Sequence, residues 1–177
     1  GWVGESSFIS WYWEKYFRRN GRTDSHVAAV QRLARDQADS RRFGTALTSI
    51  GDVNVSLLPS LQEAGVVSQR DDVVRFTHDI YADYARTRFL LSQLRAGDVD
   101  DVRGRVGNPR WHRALRLLGV YLLEGHPKEP ARGVEEWWNV GSALGGGIAF
   151  DLLLEGIPFA ATPELLLEHL GPRLFED

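Results

Sequence analysis

The chain has 177 residues, a formal net charge of −3 and no cysteine. That length allows one generous domain or two small ones. The missing thiols exclude a disulfide framework and thiolate metal centres, and the slightly acidic balance excludes a basic footprint spread over the whole chain.

Hydrophobic residues make up 43% and charged residues 25%, the balance of a folded globular protein. No apolar run is long enough to span a bilayer and no secretory start is present, so no membrane association is expected. The absence of cysteine fits a reducing, cytoplasmic setting. Methionine is also absent and residue 1 is glycine, which points to a segment of a larger protein.

In chain order, ESSFISWYWEKYFRR (5–19) places Phe8, Trp11, Tyr12 and Tyr16 at helical spacing and predicts an aromatic-faced helix. After the break NGRTD, residues 26–42 predict a second helix with Val27, Val30, Leu33 and Ala34 on one face. Arg32, Arg35, Arg41 and Arg42 occupy its other face, as expected of a solvated helix surface. A third helix follows, with Asp52 as N-cap, Leu57, Leu58 and Leu61 on its apolar face, and Gly65 as its stop. Pro59 within it predicts a late start or a kink.

VVSQRDDVVRF then gives two β-branched runs around a polar turn, the signature of a hairpin. A fourth helix runs from His78 to about Leu94, with Ile80, Tyr84, Thr87, Leu91 and Leu94 at its apolar spacing. Helices followed by a two-stranded hairpin are the element order of a winged-helix domain, here residues 1–94.

Residues 95–109 are rich in Gly, Asp and Arg without apolar periodicity and predict a linker. Residues 110–177 predict short leucine-rich helices, the first closed by Gly125 and Pro127. The last is framed by Thr162 and Pro163 at its start and by Gly171 and Pro172 at its stop. Helices of this length suggest repeat-like packing, and LLEG recurs at 122–125 and 153–156. The expected fold class is therefore mainly α, a winged helix followed by a helical, repeat-like region.

The chemistry-bearing candidates centre on VVRFTHDIYADYAR (73–86), where a histidine stands at the handover from strand to helix. His78-Asp79, with His26 and Asp151, could nominally supply an H…HD…D metal set. Nothing in the element order makes those ligands converge on one ion, so no metal site is expected. Asp79 and Asp83 form an i, i+4 carboxylate pair, most simply explained by Asp79 facing the helix dipole and Asp83 facing Arg86 or Thr87. No G-x-S-x-G, cysteine nucleophile or phosphate loop occurs, and Gly145–Gly147 read as a loop or a close helix approach. No catalytic residue is expected, and the chain is not expected to be an enzyme by itself. Winged helices often bind DNA, and a DNA-binding transcriptional regulator is the alternative reading. The helix before the hairpin carries no Lys or Arg, however, and the hairpin tip carries Asp71 and Asp72, which disfavour nucleic acid.

LQEAGVVSQRDDVVRFTHDIYADYARTRFLL resembles the end of the winged-helix domain in STAND signal-transduction NTPases. These include the NACHT-type receptors and many bacterial relatives in signalling and defence. The resemblance covers roughly residues 5–94 and rests on F-x-H-x₄-D-Y-x-A, met by Phe76, His78, Asp83, Tyr84 and Ala85. It implies that His78 faces the β-phosphate of ADP held by an NTPase core in the same parent chain, keeping a closed monomer until a protein or small-molecule trigger releases it. It also implies that ADP or ATP with Mg²⁺ belongs to the parent protein, that this segment itself holds no cofactor, and that other protomers are partners on activation. A histidine at a helix N-terminus suits a phosphate, because an imidazole donor and the positive end of the helix dipole point the same way.

Overall fold

The computed structural model describes Trp11, Trp13, Glu14, residues 24–126 and residues 128–174, without the side chains of 52–54. These residues are mainly helical with one small antiparallel sheet, and they fall into two compact units, Trp11–Phe89 and Leu90–Asp177.

In the first unit, α1 (Asp24–Asp39) buries Ala29, Val30, Leu33, Ala34 and Ala38 along one stripe, as the 3.6-residue spacing requires. It stops short of the expected residue 42 because Arg41 adopts a left-handed φ of 56°. The Arg41 and Arg42 N–H groups then donate to the carbonyls of Ala38 and Gln37, closing the helix end. β1 (Thr45–Ala46) and a 3₁₀ turn (Leu47–Ser49) lead to α2 (Asp52–Glu63). Gly51, rather than Asp52, is the N-cap, and Pro59 is accommodated inside the helix. As expected, Gly65 ends it: with φ of 69° it directs its own N–H to Gln62 and that of Val66 to Leu61.

The hairpin forms where the β-branched runs predict it, β2 (Val67–Arg70) and β3 (Val73–Phe76), with Val67 opposite Phe76 and Arg70 opposite Val73. The sheet has three strands, not two. Thr45 and Ala46 pair with Val74 and Val73, giving the order β1-β3-β2. A two-residue strand has no alternation to read, and pairing with β3 defines it. Gly44 permits the approach, since a Cβ there would lie 2.5 Å from Val73 Cγ1.

α3 (Asp79–Ala96) follows. Of the predicted aromatic helix, Phe8, Tyr12 and Tyr16 lie outside the described residues. Trp11 is exposed at 38%, whereas Trp13, not among the expected apolar positions, is buried and packs 5.0 Å from the Tyr84 ring.

The second unit continues with α4 (Val99–Arg103), α5 (Pro109–Glu124), α6 (Pro130–Ala143), α7 (Ile148–Leu154), a 3₁₀ turn (Ile157–Phe159) and α8 (Pro163–Leu174). The stretch 95–109, expected to be a linker, holds the end of α3 and the whole of α4. Asp98 caps α4 by accepting from the Asp101 N–H, and Arg103 reaches the Ala143 carbonyl at the end of α6. Asn108 caps α5, and Pro109 occupies its first turn.

α5 is the centre of this unit and packs against α6 and α7, while α6 packs against α8. Trp111, Leu115, Leu118 and Leu123 of α5 are fully buried, with Trp137 and Leu153 from its neighbours. Each such side chain contributes about 1.5–3 kcal/mol of burial. Gly145, Gly146 and Gly147 all have positive φ and form the loop between α6 and α7. α8 does not stop at Gly171 and Pro172 but runs to Leu174. Pro172 sits in its last turn, where a missing N–H removes a single bond. No helix among the described residues is long and apolar enough to cross a membrane.

Candidate phosphate-sensing site

The site is built on the passage from β3 to α3. Phe76 ends β3 half-buried and pairs with Val67 across the hairpin. Thr77 then fastens the connection to the start of the hairpin: its N–H donates to Val66 O at 3.1 Å, and its hydroxyl donates to the Gly65 carbonyl. His78 comes next with an exposed side chain. Its carbonyl accepts the Tyr81 N–H at 3.1 Å, opening the helix, and its ring stands edge-on to the Tyr81 ring with centroids 5.4 Å apart. Asp79, also exposed, is the first residue of the 18-residue α3 and faces the positive end of its dipole.

The rest of the motif turns inward. Asp83 is 6% exposed and accepts from Arg86 Nη1 at 2.7 Å. Arg86, equally buried, donates through Nε to the Ala34 carbonyl on α1 at 3.2 Å. The Thr87 hydroxyl donates to the Asp83 carbonyl at 2.8 Å. Tyr84 and Ala85 are buried, the former against Trp13. Phe76, Asp83, Tyr84 and Ala85 are thus wholly or partly buried, whereas His78 is exposed.

The anticipated Asp79–Asp83 carboxylate pair does not form a shared acid–base site, because one carboxylate faces solvent and the other is locked to Arg86. The expectation that Asp83 faces Arg86 or Thr87 describes the observed contacts. The burial of that pair, and its bond to α1, has no sequence signal. Gln37 had none either, yet its amide is buried and donates to Val74 O in the middle of β3 at 3.2 Å. Together Arg86 and Gln37 tie α1 to both elements that carry His78.

Of the nominal metal set, His26 bonds to the Ser60 hydroxyl at 2.8 Å, joining α1 to α2, and Asp151 lies in α7 of the other unit. Among the described residues no group of three His, Cys, Asp or Glu side chains could hold a metal ion. Compared with protein-family models, curated proteins and solved structures, the chain matches none.

Proposed function

We propose that this chain is the regulatory region of a STAND-type signalling NTPase. A winged-helix domain would read the nucleotide state of a neighbouring NTPase core, and a helical, repeat-like region would follow it. The observation that carries the reading is the exposed His78 ring at the head of α3, behind a connection that Thr77 fixes to the hairpin. A single imidazole offered to solvent, on a backbone stitched at both ends, suits an anion presented by another module. The element order helix–strand–helix–hairpin and the strand order β1-β3-β2 support the winged-helix part. The LLEG segments, which lie at the C-terminal ends of α5 and α7, support the repeat-like part.

In this role His78 donates a hydrogen bond to a phosphate oxygen of bound ADP. The Asp83–Arg86–Ala34 chain of contacts keeps the helix carrying it in place. The nucleotide and its Mg²⁺ are held by the NTPase core, which also supplies any hydrolysis. The segment itself is regulatory and works in the cytoplasm. Loss of the His78 contact would free the domain and allow protomers to assemble when a trigger binds. The DNA-binding alternative is the weaker one, since α2 has no basic residue and Asp71 and Asp72 form the hairpin tip.

The test is His78→Ala in the protein that joins this chain to its NTPase core. Co-purified ADP should fall and the oligomeric fraction should rise on size exclusion. Unchanged nucleotide content together with an unchanged monomer fraction would refute the proposal.

A further inference from the structure

We propose that two copies of this chain associate through the outer face of the three-stranded sheet, each hairpin tip lying against the open end of the other hairpin. The contact needs neither nucleotide nor His78, so it stands apart from the sensing role.

Strand register defines the face. Directly opposed residues share a side, so Arg70 and Ala46 lie beside Val73, and Ser68 lies beside Arg75. Gly44 belongs to it as well, because a Cβ there would lie 2.5 Å from Val73 Cγ1 and 3.0 Å from Arg75 Cγ. The opposite side carries Val67 and Val74 into the core. On the outer side Ser68, Arg70 and Arg75 are exposed, and Gly44, Ala46 and Val73 are half-buried.

Charge is segregated along this face. The tip carries Asp71 and Asp72, both exposed, next to the end of β1, where the Leu47 N–H donates to Asp72 O at 2.8 Å. The open end carries Arg75 over Gly44, and exposed Arg42 lies two residues before that glycine. Three residues of strand, about 10 Å, separate Asp72 from Arg75, and Arg70 stands between the two ends. Among the described residues none of these five charged side chains is in an ion pair, although Arg70 and Asp71 are adjacent in the chain.

That pattern selects the occupant. An acidic partner would match the open end and be repelled by the tip, and a basic partner the reverse. A second copy related by a two-fold axis matches both: its Asp71 and Asp72 meet Arg42 and Arg75, and symmetry makes the same contact twice. The side chains between the charged ends are small, so the two faces can approach to the roughly 10 Å of stacked sheets. Phe43, 68% exposed and next to Gly44, adds an apolar side chain at the rim.

The experiment is sedimentation velocity of the whole chain, without nucleotide, up to about 500 μM. A monomer–dimer equilibrium is expected, weaker at about 0.5 M salt than at about 0.05 M, because exposed charges are screened. Two double variants each reverse one end. The first is Asp71→Asn with Asp72→Arg, in which Asn keeps the left-handed turn at residue 71. The second is Arg42→Glu with Arg75→Glu. All four side chains are exposed, so the fold should survive, which circular dichroism verifies. Each variant alone should dimerise at least about tenfold more weakly, and an equimolar mixture should regain association. Arg95→Glu, an exposed charge reversal in the other unit, should leave dimerisation unchanged. The pairing is refuted if the wild-type chain stays monomeric at low salt over the whole range. It is equally refuted if either folded double variant dimerises like wild type, if the mixture associates no better than its components, or if Arg95→Glu weakens dimerisation as much as they do.

Discussion

The two units are held together by different means. In Trp11–Phe89 buried polar side chains reach across elements, Gln37 to β3 and Arg86 to α1, while Asp83 holds Arg86 from one turn earlier on the same helix. All the buried polar and charged residues among those described, Gln37, Asp83, Arg86 and Thr87, belong to this unit. In Leu90–Asp177 the core is apolar, and the elements approach so closely that glycine is required at the crossings. A Cβ at Gly119 would lie 2.3 Å from Leu153 O, and one at Gly133 2.6 Å from Leu123 O. Polar bonds to particular carbonyls fix register and orientation, because an imperfect match leaves a buried group unsatisfied. Apolar contact through glycine brings helices close but specifies position mainly by shape. The unit that carries the exposed His78 is the one built with directional bonds.

The largest effect should come from breaking the polar anchor. Asp83→Ala leaves the Arg86 guanidinium buried without its carboxylate, and a loss of about 3–5 kcal/mol is expected in urea denaturation. Replacing Asp83 and Arg86 together by leucine should cost clearly less than either single truncation. If the double variant is as unstable as Asp83→Ala, the pair is not the source of the loss.

Gly119→Ala probes the other unit. Its methyl group would meet backbone, which cannot rotate away, and about 2–3 kcal/mol of destabilisation is expected from overpacking. A thermal midpoint equal to wild type would show that α5 and α7 can separate without penalty.

What the sequence discloses follows the same division. The hairpin, the stop at Gly65 and the leucine faces of the second unit are local patterns, readable because period and turn chemistry lie within a few residues. β1 is not readable, since two residues become a strand only through Val73 and Val74. α4 announces itself only by its Asp98 cap, inside a stretch otherwise lacking apolar rhythm. For the site, the position of His78 at a helix start is legible from residues 73–86. The anchoring of that helix is not, because Arg86 finds Ala34 across 52 positions and Gln37 finds Val74 across 37.

Smaller effects sharpen the contrast. Arg41→Gly should stabilise the first unit by about 0.5–1 kcal/mol, because an L side chain is strained at a left-handed φ; the readout is the urea midpoint. His78→Ala should change stability least, within about 0.5 kcal/mol, as expected for an exposed side chain away from the buried anchors. A large loss there would make His78 a structural residue.

The most direct measurement is long-range ¹H–¹⁵N NMR of the histidine rings during ADP titration, in the protein that joins this chain to the proposed NTPase core. A contact between imidazole and phosphate predicts a saturable shift of the His78 ring nitrogens that disappears in His78→Ala. Ring resonances of His78 that stay fixed while ADP saturates the core would contradict it.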